Sequence, residues 1–226
     1  MPFDSVRRQG PGGGAPERAI NLPPALLWLI LINVAVHLLR MLLSDSADQS
    51  MVMQFGLVPA YYSGGQGGDL LSMLLAPITY QFLHGGWVHL GVNMFTLAAF
   101  GAGVERLLGV RRFILFYLSA GVVAGAIHVV IFSDSMDPVI GASGAISGVF
   151  GGVLIAMRRL GKLTSLLPVA VIWIGLNVFF GLFGGTPGGG GEPVAWVAHI
   201  GGFIYGLAVF RLFLPAAMPP PPTDEP

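Results

Sequence analysis

Ser143 and His199 are the residues of this sequence whose types and settings suit acyl transfer. The serine stands in the run Gly141, Ala142, Ser143, Gly144, Ala145, Ile146, Ser147, Gly148, where a turn at Asp137 and Pro138 gives way to an apolar segment. It falls on the first turn of the helix that this segment predicts. Free backbone N–H groups and the positive end of the macrodipole there favour developing negative charge. Small residues around a serine are also a common packing device between membrane helices, so the run alone does not separate chemistry from packing. His199 lies five residues into the last apolar segment, followed by Ile200, Gly201 and Gly202. His89 and Asn93, four positions apart, share one face near the start of an earlier helix. In such a grouping His199 would take the Ser143 proton and later return one to a leaving amine. The Ser143 backbone N–H, His89 and Asn93 would face the oxyanion. No acidic third member accompanies them, since Asp134, Asp137 and Glu192 fall in connecting loops. His37 and His128 have no matching polar neighbours at helical spacing, and each is expected to bond to an adjacent helix.

These groups meet only if the elements bearing them reach one level. Of 226 residues, 54% are hydrophobic and 10% charged, with a mean hydropathy of +0.77, which is too apolar for a soluble domain and implies an all-α polytopic membrane protein. There is no cysteine, which rules out disulfides and thiolate metal sites, and the five histidines are too scattered to predict a metal centre. Zero formal net charge gives no surface for nucleic acid, and no cofactor motif is present. Apolar segments at residues 23–43, 87–107, 113–132, 143–157, 166–183 and 194–214 predict six spans. Residues 1–22, rich in Gly, Pro and Arg, predict a disordered tail and argue against a cleavable signal; residues 215–226 predict a Pro-rich tail. The domain between them, 23–214, contains one long connection, 45–86, whose tyrosines and apolar stretches suit the membrane interface. Ten of the eleven Lys and Arg residues fall on one side of this arrangement, with Arg40 the exception. Both termini are therefore expected to be cytoplasmic, and Ser143 to open outward.

Depth follows from helix rise. The fourth span covers ~22 Å of a ~30 Å hydrocarbon core before its basic anchor, which puts Ser143 ~8 Å below the outer surface. His199 reaches ~7–8 Å, and His89 and Asn93 reach ~3 and ~9 Å, at the same rise per residue. A helix that starts so deep implies a hydrated depression open to the outside. Gly144 and Gly148 on the fourth span and Gly202 and Gly206 on the sixth recur at spacing that lets two backbones approach closely. Such packing would also hold Ser143 near His199. A small transporter is the competing reading, but its polar pathway would lie at mid-depth and carry charge, whereas this cluster lies near one face and carries none.

With these residues in place, the sequence resembles the rhomboid family of intramembrane serine proteases. The resemblance rests on Gly141-Ala142-Ser143-Gly144, on His199 with glycines at plus three and plus seven, and on the run from His84 to Asn93. It extends to the segment 55–60 and to Glu105 and Arg106, covering about residues 25–212. It implies a six-helix rhomboid-like bundle with a short central fourth helix and a Ser143–His199 dyad without metal or cofactor. It also implies transmembrane proteins as substrates, cut in or beside their spans, and a bacterial inner membrane as the location. A catalytically inactive relative that binds transmembrane helices is the alternative. By the same resemblance Trp173, Phe179, Phe180 and the Gly-rich stretch 184–191 would gate entry, although bulk facing lipid and a flexible turn account for them equally. One position departs from the pattern: Ser147 stands where some members carry an aromatic residue that stacks on the histidine. The orientation of His199 must then come from a hydrogen bond or another ring.

Overall fold

The computed structural model describes residues 22–64, 68–183 and 195–216. Its first helix, α1 (Pro24–Arg40), opens with proline at the first helical position, where a missing N–H costs nothing. The next two N–H groups are met from far along the chain. Ala25 N donates to Glu105 Oε1 at 2.9 Å and Leu26 N to Oε2 at 2.7 Å. A carboxylate at a helix N-terminus satisfies orphan donors and complements the dipole together, and Glu105 does so while buried. Helix α2 (Asp45–Phe55) is capped by Ser44, and α3 (Leu70–Thr79) by Asp69, whose Oδ1 accepts from Ser72 N at 2.9 Å. Short helical turns follow each, at Pro59–Tyr61 and Tyr80–Phe82. Helices α4 (Trp87–Leu108) and α5 (Val110–Ile131) are separated by Gly109 alone, at φ +78°, a conformation that suits glycine. Then come α6 (Ser143–Arg159), α7 (Leu167–Phe183) and α8 (Trp196–Phe213).

The architecture is all-α, with no strand among the described residues beyond a single antiparallel bridge between Leu57 and Val139. Helices α4, α5 and α8 are long and apolar enough to cross a membrane. Helices α1, α6 and α7, at 17 residues each, sit at the lower edge of spanning length. The connection 45–86 is more ordered than an interfacial loop: α2, α3 and both helical turns lie within it. Its caps explain the difference, because Ser44 and Asp69 each start a helix that hydropathy alone does not reveal.

Helix α6 is the centre of the molecule, packed against α4, α5 and α8. Small residues make this possible. A Cβ on Gly148 would come within 2.5 Å of Ala120 Cβ on α5, and one on Gly144 within 2.8 Å of Ala124 Cβ. On the other side a Cβ on Gly202 would meet the Gly144 carbonyl, and one on Gly206 the Gly148 carbonyl. Backbone against backbone at this range leaves no flexible side chain to move aside.

Candidate active site

The segment that delivers Ser143 is anchored before α6 begins. Leu57 and Val139 exchange both backbone hydrogen bonds, at 3.0 and 2.9 Å, and Ala60 N donates to Ser135 O at 3.0 Å. Gly141 N donates to Tyr80 O at 2.9 Å. Tyr80 is itself buried and fixed, its hydroxyl donating to Gly121 O on α5 at 2.6 Å. Gly141 then turns the chain at φ +123°, and a Cβ there would lie 2.9 Å from His89 Nε2 and 3.7 Å from Ser143 Oγ. Glycine is required here both by conformation and by the ring beside it. Ser143 follows as the first residue of α6, behind an Ala142 that supplies no side-chain cap. The N–H groups of Ser143, Gly144 and Ala145 therefore have no partner within the helix, whose first bond is Ile146 N to Ala142 O.

His199 occupies the first turn of α8, and its Nε2 lies 2.7 Å from Ser143 Oγ. The two residues are half-buried and 56 positions apart in sequence. The pairing depends on the glycine contacts between α6 and α8, since any side chain at Gly202 would push His199 away. The second ring nitrogen, Nδ1, is bonded to Asn177 Oδ1 at 2.8 Å. Asn177 lies on α7, is 9% exposed, and donates through Nδ2 to Trp173 O at 2.8 Å. Sequence reasoning missed it. A buried asparagine in an apolar helix was the available signal, legible only under the rule that polar groups within spans carry function. Ser147 has a different use: its hydroxyl donates to Ser143 O at 2.8 Å, turned back along α6 rather than towards the imidazole.

At the start of α4, Gly85 N donates to His89 Nδ1 at 3.3 Å. A neutral ring whose Nδ1 accepts carries its proton on Nε2, the atom beside Gly141. Asn93, buried one turn further along α4, donates through Nδ2 to His89 O at 2.9 Å. His84 packs edge-on to His89 with centroids 5.1 Å apart. Burial, and then the neighbouring His89, push His84 down to about 3, so its ring is neutral at physiological pH. Arg40, the cation that stands apart from the rest in sequence, is bound on three sides. Its Nε and Nη2 donate to Asp48 at 2.6 and 2.9 Å, and its Nη1 donates to His84 O at 2.7 Å. That hydrogen-bonded guanidinium holds the Asp48 carboxyl below the usual carboxylate range.

The remaining sequence candidates are more scattered. The His128 ring packs on Phe132 at 4.8 Å, and its Nδ1 has no hydrogen-bond partner among the described residues, unlike the helix-bonding histidine expected there. His37 lies edge-on to Trp87 at 4.7 Å. Trp173 packs on Phe150 and Phe203, and Phe179 is half exposed on the outer face of α7. The side chain of Phe180, residues 184–191 and Glu192 lie outside the described residues, as do 1–21 and 217–226. No group of three or more His, Cys, Asp or Glu side chains among the described residues is arranged to hold a metal.

Residues 71–216 match the family model described as the Rhomboid domain. The chain is 38% identical over 148 residues to Rhomboid protease GluP of Bacillus subtilis, covering 64% of this chain and 26% of that one. It is 36% identical over 152 residues to RHOMBOID-like protein 4 of Arabidopsis thaliana, covering 64% and 33%. It is also 31% identical over 183 residues to Putative rhomboid protease YdcA of Bacillus subtilis, covering 74% and 87%. The chain thus spans between a quarter and a third of the length of the first two relatives and most of the third.

Proposed function

Because this chain belongs to the rhomboid family of integral membrane proteins, we propose that it is an intramembrane serine endopeptidase in which Ser143 is the nucleophile and His199 the general base and acid. The observation that carries the reading is the 2.7 Å separation of His199 Nε2 and Ser143 Oγ at the start of a buried helix. Oγ attacks the scissile carbonyl as its proton passes to Nε2. The resulting oxyanion lies among the first-turn N–H groups of α6 and the Nε2–H of His89, with Asn93 holding the His89 turn and offering its second amide hydrogen. His199 then protonates the departing amine, and water hydrolyses the acyl-serine by the same steps in reverse order.

The substrates on this reading are transmembrane segments of other proteins. The six apolar helices α1, α4, α5, α6, α7 and α8 span the bilayer, with residues 1–22 and 215–226 as cytoplasmic tails and the site open to the outer side. In a bacterial cell that side is the periplasm. The inactive, helix-binding alternative predicts a serine without enhanced reactivity. A fluorophosphonate probe applied to the purified protein in detergent separates the two: labelling is expected in the wild type and absent from Ser143→Ala and His199→Ala. Labelling that persists in Ser143→Ala removes the nucleophile from the proposal, and an unlabelled wild type supports the inactive reading.

A further inference from the structure

The amide of Asn177 is oriented by its own helix. Its Nδ2 lies 2.8 Å from the Trp173 carbonyl, which only accepts, so the nitrogen belongs on that side and the oxygen faces His199. Oδ1 has no hydrogen to give. At 2.8 Å from His199 Nδ1 it must therefore accept, and the imidazole proton sits on Nδ1. A neutral ring carries one N–H, so Nε2 presents its lone pair to Ser143 Oγ at 2.7 Å. Every proton in the series from Ser143 through His199 and Asn177 to Trp173 O then has one direction.

Building on the dyad proposed above, we infer that Asn177 is a positioning residue: it holds His199 as the Nδ1–H tautomer, with Nε2 turned to the nucleophile. This supplies an orienting partner in a chain where Ser147 takes the place of a stacking ring and, among the described residues, no carboxylate is hydrogen-bonded to the dyad. Asn177 is a neutral acceptor, so it fixes the tautomer without adding the negative charge that would favour imidazolium.

The register of α7 on α8 places this amide. Trp173, Asn177 and Gly181 are four apart and share one face of α7. Trp173 lies 4.8 Å from Phe150 and 6.0 Å from Phe203 by ring centroids, and Gly181 lies beneath the ring of Trp196, which leaves no room for a Cβ. The opposite face carries exposed Val171, Ile172, Leu176, Phe179 and Leu182. Helix α7 packs chiefly on α8, so moving it off α8 withdraws the acceptor from His199. The tautomer is held only while α7 is seated.

The test combines histidine 15N spectra with fluorophosphonate labelling kinetics, on purified protein in detergent. His199 is assigned by the signals lost in His199→Ala. Wild type is expected to carry the proton on Nδ1, and Asn177→Leu, which removes the acceptor at similar size, to move it wholly or partly to Nε2. The maximal labelling rate of Asn177→Leu is expected to fall roughly 10- to 100-fold, with the half-saturating probe concentration within about twofold of wild type. Asn177→Asp keeps an oxygen towards the ring and should recover most of the rate, while its charge moves the acid limb of the rate–pH profile to higher pH. A proton on Nε2 in wild type, or a labelling rate per folded molecule unchanged in Asn177→Leu, overturns the inference. Should Asn177→Leu fail to fold, Asn177→Asp decides the matter, and an acid limb that stays in place overturns it. Labelling that survives in Ser143→Ala defeats the dyad itself, whereas labelling lost in Ser143→Ala but undiminished in Asn177→Leu defeats the role of Asn177 alone.

Discussion

Asn93 and His89 make different contacts, although sequence spacing treats them as a pair. The His89 ring lies against Gly141 with Nε2 protonated, close to where the proposed mechanism forms an oxyanion, while Asn93 is bonded back to the His89 carbonyl. Replacing Asn93 by alanine is expected to reduce the maximal fluorophosphonate labelling rate by up to roughly 10²-fold with little change in half-saturation, because donors to an oxyanion act in the transition state. An unchanged rate would take Asn93 out of the mechanism. Gly141→Ala should be damaging as well. Its Cβ would occupy the space of His89 Nε2, and its positive φ disfavours any side chain. Labelling is the measurement there too, with loss expected while the helical circular dichroism persists.

At the level of the helix, two devices set how the bundle is held together. The first is the pair of close approaches between α6 and α8. Valine at Gly202 would drive its Cβ into the Gly144 carbonyl, one residue from Ser143. The expected cost is at least the ~1–3 kcal/mol of overpacking, with loss of labelling because His199 moves with its helix. Gly103 offers the contrast, since a Cβ there meets nothing within 4 Å, and Gly103→Ala should keep wild-type labelling and thermal stability. The second device is the Glu105 carboxylate that closes the start of α1. Glu105→Ala leaves two buried N–H groups unpaired, which should destabilise the fold by roughly 1–3 kcal/mol in denaturant or thermal titration. Glu105 lies near the end of α4 opposite to His89 and Asn93, which predicts lost stability without an altered labelling rate per folded molecule.

For the molecule as a whole, burial of His84 ties stability to pH. Its folded value is near 3 against 6.5 when exposed, so the unfolded chain binds the extra proton between those limits. Stability from this source is full above pH 6.5, falls as the pH drops, and levels off near 3. Between pH 7 and 5 the loss amounts to about 2 kcal/mol, and His84→Asn should abolish it, which thermal melts at the two pH values would register. The Arg40–Asp48 pair adds to the same trend with the sign of a depressed carboxyl, stable at neutrality and lost at more acid pH. Topology is testable in a chain that contains no cysteine. Single cysteines placed at Ser5 and Thr223 should be shielded from a membrane-impermeant maleimide in intact bacteria and labelled after permeabilisation. Labelling in intact cells would reverse the proposed orientation.

The linear chain determined the apolar segments, and so helices α1 and α4 to α8, because hydropathy over that length dictates burial in lipid whatever the neighbours are. It also determined which glycines permit close contact, and which serine and histidine lie at comparable depth, since helix rise converts position into height. Tertiary structure alone decided what each polar atom touches. Ala25 and Glu105 are joined across most of a hundred residues, Arg40 finds both Asp48 and the His84 carbonyl, and Asn177 meets His199. Hydrogen bonds act over about 3 Å with strict direction, and rotation of one helix against another sets that distance without leaving any periodic trace in the sequence.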